Sequence, residues 1–98
     1  MREAGNLMPW EPGADDLFAL DVAARMAGTT RRMFLLYCRW GGIEPVLLPP
    51  YGMLAFPQEA IRIARVAERL QQEYGVNRAG IRVILRLIRR MDGLVRQP

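Results

Sequence analysis

The chain has 98 residues, 51% apolar and 24% charged, which bounds it to one small soluble domain; no apolar run nears the roughly 20 residues that span a bilayer. With no histidine, no serine and one cysteine, it lacks the means for an ordinary zinc or copper site, a Ser–His or Cys–His nucleophile, or an internal disulfide, so a non-enzymatic cytoplasmic protein without metal or cofactor is expected. The net charge of +4 is all arginine on the basic side and unevenly spread: residues 1–30 set Arg2 and Arg25 against Glu3, Glu11, Asp15, Asp16 and Asp21, whereas residues 31–98 set twelve Arg against five acids, which suits nucleic acid, an acidic protein or a merely solvated helical surface alike.

Residues 1–16 hold Gly5, Pro9, Pro12 and Gly13 without periodicity and read as a flexible arm, in which Trp10 is expected to pack back on the domain formed by residues 17–98. The first residues lack the sustained apolar core of a secretory signal and include Glu3. Residues 17–20, Leu-Phe-Ala-Leu, read as a short extended lead-in, and Asp21 reads as N-cap of a first helix with Val22, Ala23 and Met26 on its apolar side. Ala27-Gly28 ends that helix, because glycine takes the left-handed conformation without a Cβ clash. Thr30 then caps a second helix, in which Met33, Phe34, Leu36, Tyr37 and Trp40 recur at helical spacing; Gly41-Gly42 closes it and Pro45 forbids continuation. Two short helices joined by a tight turn make a helix-turn-helix. Cys38 is expected to be a small buried hydrophobe, and Trp40 to lie half-buried against the segment that follows.

In residues 44–56 two short apolar runs flank Pro49-Pro50-Tyr51-Gly52, which predicts a small hairpin made irregular by its prolines. Pro57 opens a long helix to about Tyr74, with Ile61, Ala64, Ala67, Leu70 and Tyr74 as its core stripe and the pairs Glu59–Arg62 and Arg69–Glu73 on its surface. Gly75 stops it. Asn77 caps a last helix, from Arg78 to about Leu94. Ile81, Ile84, Leu85, Ile88 and Met91 form one apolar face of that helix; Val83, Leu87 and Leu94 form a second. So much apolar width predicts a homodimer through Val83, Leu87, Met91 and Leu94, or a cover supplied by the N-terminal arm.

The order helix, turn, helix, hairpin, long helix, glycine turn, helix resembles the MerR-type winged helix-turn-helix: a mainly α fold of about four helices with a small irregular β wing. The motifs that carry the likeness are A-R-M-A-G-T-T, then M-F-L-L-Y-C-R-W-G-G-I-E-P, then G-M-L-A-F in the wing. The later E-Y-G-V-N-R-A-G-I is similar to a motif shared by HspR-like heat-shock repressors and CbpM-like chaperone modulators. Two departures separate these subgroups. Where DNA-binding members carry arginines that reach DNA, in the second helix and the wing, this chain has Leu35 and Leu54, and Cys38 stands where the family has an acid. Each lost arginine removes a phosphate contact. Phe34 takes the family's core leucine position, and Leu35, Met53 and Leu54 read as a protein-facing patch. DNA-binding relatives usually add a dimerisation segment after the domain, whereas this sequence stops soon after Leu94, as the short modulators do.

The resemblance therefore implies a regulator that binds the J-domain of a DnaJ-like co-chaperone and restrains its action on Hsp70. A J-domain usually presents a basic helix, so contact is expected through Asp15, Asp16, Asp21 and Glu44 together with Leu35, Trp40 and Leu54. The alternative is a MerR-family DNA-binding transcriptional regulator that uses Arg31 and Arg32 at the start of the second helix, and Arg39, on DNA. Without a partner, Arg31 and Arg32 are simply exposed charge in a first helical turn, mildly opposed to the helix dipole.

Overall fold

A computed structural model describes residues 16–96, with side chains as far as residue 93. The described chain is mainly helical with a small antiparallel sheet. In order it runs β1 (Leu17–Ala19), α1 (Leu20–Ala27), α2 (Arg31–Trp40), β2 (Val46–Leu48), β3 (Met53–Pro57), α3 (Gln58–Tyr74) and α4 (Arg78–Arg96). The expected arm falls outside the described residues except for Asp16, and Asp15 lies outside them too.

The helix ends follow local chemistry. The Thr30 hydroxyl accepts from the Met33 N–H at 3.1 Å and so caps α2, and Asn77 Oδ1 accepts from the Gly80 N–H at 2.9 Å at the start of α4. Gly28 (φ 77°) and Gly75 (φ 67°) are left-handed and close α1 and α3. Beyond Gly75 the Val76 N–H donates to the Leu70 carbonyl at 3.0 Å, which turns Val76 onto the core.

The hairpin forms as the two apolar runs predict, with Val46 opposite Ala55, Leu47 opposite Leu54 and Leu48 opposite Met53. The lead-in does more than expected. It pairs on the other side of β3, Leu17 with Pro57, Phe18 with Phe56 and Ala19 with Ala55, which makes β3 the central strand. This pairing corrects two helix starts. Ala19, extended at φ −62° and ψ 156°, is the N-cap of α1 with no side-chain cap bond, so Asp21 sits in the first turn. Pro57 remains a strand residue and N-cap, and Gln58 is the first residue of α3.

One core joins the elements. Ala23, Ala24 and Ala27 of α1 allow close approach of α3, whose Ala60, Ala64 and Ala67 are buried opposite small residues. Phe34 of α2 meets Phe56 of β3 edge to face, centroids 5.0 Å apart, and Ile81 and Leu85 bring in α4. Arg65 ties α3 to the end of α1 by donating to the Met26 carbonyl at 3.0 Å. Tyr74, expected in the core stripe, is 71% exposed, because the chain leaves the helix at Gly75 and Val76 fills that side. Met91, expected on the core face of α4, is 62% exposed, because it follows Leu87 by four residues and so lies on the outer face with Leu87, turned away from Ile81 and Leu85. Both expected surface pairs occur, Glu59–Arg62 at 3.7 Å and Arg69–Glu73 at 3.5 Å.

Candidate interaction surface

Helix α2 buries Phe34, Tyr37 and Cys38, and its periodicity therefore turns Arg31, Arg32, Leu35 and Arg39 outward. These carry the chemistry of two rival readings side by side. Arg31 is already engaged: its guanidinium lies 3.0 Å from Asp21 Oδ1. The two residues expected to serve opposite partners thus neutralise one another, in an exposed pair worth roughly a few tenths of a kcal/mol. Arg32 and Arg39 form no ion pair among the described residues.

A groove of about 320 Å³ runs between α2 and the base of the hairpin, with Leu35, Arg39, Ile43, Glu44 and Phe56 among its lining. Leu54 lies two residues before Phe56, hence on the same face of the sheet, with Leu47 beside it across the ladder. Leu35 is 38% exposed and Leu47 65% exposed. The opposite sheet face carries Met53, which is 59% exposed. The hairpin thus presents apolar side chains on both faces, with Tyr51 exposed at its tip.

Leu35, Glu44 and Leu54 belong to this one side of the molecule. Asp16 is exposed just before β1, and Asp21 lies apart, beside Arg31. Trp40 is half-buried: its ring meets Tyr37 edge to face at 6.1 Å and it lines a separate cleft with Arg39 and α4. Val83, Leu87 and Met91 are exposed on α4, and the Leu94 side chain lies outside the described residues. Three features had escaped the sequence: the apolar exposure of Leu47 and Leu48, the arginine cleft at Trp40, and a polar contact at Tyr37. A strand whose three residues are all apolar, at the edge of a small sheet, is the signal that could have exposed the first.

Tyr37 is buried, yet its hydroxyl donates toward Glu68 Oε2 at 2.9 Å, with Gln71 Oε1 at 3.2 Å. Burial, and then the Glu68 carboxylate, raise its phenol above the ordinary 10.0. Burial alone pushes the Cys38 thiol up to about 12, so it stays protonated at neutral pH and is a poor nucleophile. Among the described residues no three His, Cys, Asp or Glu side chains gather as metal ligands, and no helix is long and apolar enough to cross a membrane. Compared with protein-family models, curated proteins and solved structures, the chain finds no match.

Proposed function

We propose that this chain is a small non-enzymatic regulator built as a MerR-type winged helix-turn-helix, with α1 and α2 as the helix pair and β2–β3 as the wing. In this reading it works as a chaperone modulator of the CbpM type, binding the J-domain of a DnaJ-like co-chaperone and restraining its action on Hsp70. The observation that carries it is an exposed apolar face on which Leu35 and Leu54 stand where the family resemblance expects DNA-reaching arginines, with Leu47 beside Leu54 across the ladder. Leu35 is 38% and Leu54 36% exposed, so covering what remains contributes roughly 0.5–1 kcal/mol from each, a third of what full burial of such a side chain is worth. Glu44 at the groove supplies an acid for a basic partner, while Asp21 must first be released from Arg31.

Calorimetric titration with the J-domain of the host's own DnaJ-like protein tests this. Binding at about micromolar Kd or tighter is expected, lost in Leu35→Glu/Leu54→Glu and weakened in Asp21→Asn/Glu44→Asn. No heat from a folded protein overturns it, and unchanged affinity in the acid variants removes the acidic contact.

A second reading, duplex DNA binding, draws on Arg32 and Arg39, both exposed and without ion pairs among the described residues. Its mark is a mobility shift on duplex DNA that fades steeply with salt; no shift at low salt removes it.

A further inference from the structure

At the end of α2 the chain turns away at Gly41-Gly42 and leaves Arg39 and Trp40 beside α4. There Arg82, Arg86 and Arg89 recur at helical spacing, a row about 10 Å long. Together these five residues line a cleft of about 460 Å³. Among the described residues none of the four guanidinium groups is ion-paired. Like charges gathered on two walls of one cleft repel, and Glu44, which lines the adjoining groove with Arg39 and Arg89, is one carboxylate against four guanidinium groups, so the cleft keeps a net positive charge and attracts anions. Two of its parts pack against α2 and the turn that follows it. Arg89 lies so close over Gly42 (φ 73°) that a Cβ there would collide with its guanidinium. Trp40 is set by its edge-to-face contact with the buried Tyr37.

We propose that this cleft binds a nucleotide unit, its phosphates on Arg39, Arg82, Arg86 and Arg89 and its base against Trp40. Planar guanidinium forks match phosphate oxygens two at a time. The volume lies in the range of about 300–1,000 Å³ that small ligands occupy. An aromatic ring beside a positive groove is the arrangement that holds single strands, because every base offers a π-face. A duplex keeps its bases stacked inside and offers none to Trp40, and an acidic peptide supplies the charge without the base. A free nucleotide and one nucleotide of a single strand offer the same chemistry to this cleft. This site does not depend on the co-chaperone reading: it uses α4, and shares only Arg39 and Arg89 with the groove at Leu35.

The chain has two tryptophans, so Trp10→Phe leaves Trp40 as the sole reporter. That full-length variant is titrated at low salt with ATP, a short oligo(dT) strand, inorganic triphosphate, a polyglutamate peptide and duplex DNA, read by fluorescence and calorimetry. Saturable quenching by ATP, by the single strand or by both is expected, and the tighter of the two identifies the source. Affinity should fall about tenfold in Arg86→Gln and again in Arg82→Gln, both exposed positions, and should fall with salt. Absence of quenching by both ligands overturns the proposal. So does unchanged affinity in the arginine variants, triphosphate or polyglutamate binding as tightly as ATP, or duplex DNA binding more tightly than the single strand.

Discussion

Tyr37 and Cys38, consecutive on α2, both turn a titratable group into the core. Tyr37→Phe deletes the hydroxyl that donates to Glu68 and leaves that carboxylate, among the described residues, the Gln72 amide, which donates to it at 3.1 Å. A loss of about 1 kcal/mol is expected, read as a lower urea midpoint. Both groups hold their protons more tightly in the folded chain, with the thiol raised from 9.0 to about 12 and the phenol raised above 10.0. Above those ordinary values the folded state binds more protons than the unfolded one, so stability falls as pH rises. The urea midpoint should therefore hold from neutrality to about pH 9 and decline beyond it. A Tyr37→Phe/Cys38→Ala double variant should flatten that decline; an unaltered slope would place its origin elsewhere. The burial of Tyr37 was legible from its helical spacing, and that of Cys38 from the habit of a lone helical cysteine to act as a small hydrophobe. The Glu68 contact was not, because it joins residues 31 apart in sequence and only the packing of α2 on α3 creates it.

At the scale of the element, the joints of the fold rest on single residues. Thr30→Ala removes the one side-chain cap of α2 and should cost about 1 kcal/mol. Two glycines give a sharper contrast. Gly28 and Gly42 both have positive φ, at 77° and 73°, so alanine strains either backbone by about 1–2 kcal/mol. A Cβ at Gly28 meets open space, whereas one at Gly42 strikes Arg89. The atoms struck are the far end of an exposed, flexible arginine, so the two variants should cost about the same in parallel denaturation curves, and only Gly42→Ala should weaken nucleotide binding, by displacing Arg89. A cost for Gly42→Ala well above that for Gly28→Ala would mean that Arg89 does not yield. These joints could be read from the sequence because caps and left-handed stops act within a turn of the helix. The third strand could not. Leu17 pairs with Pro57 across 40 residues, and nothing local in Leu-Phe-Ala marks that partner. Asp21 was misread as a cap for the same reason, since the strand that ends at Ala19 fixes where α1 begins.

Across the whole molecule, α4 sorts its side chains into three faces. Ile81 and Leu85 face the core. About a third of a turn to one side stand Arg82, Arg86 and Arg89; about a third of a turn to the other stand Val83, Leu87 and Met91. The apolar stripe repeats every fourth residue over about 12 Å, so it matches a second copy of itself laid across a two-fold axis. The reading of the chain as a dimer rests on this stripe, half or more exposed at each of its three residues. Sedimentation equilibrium should show a dimer that Val83→Glu/Leu87→Glu converts to a folded monomer, because neither side chain supports the core. A dimer through this stripe leaves the arginine face free on the far side of each helix. The monomeric variant should therefore bind nucleotide as the parent does, whereas a parent chain that sediments as a monomer at every concentration would leave the stripe without a second copy to cover it.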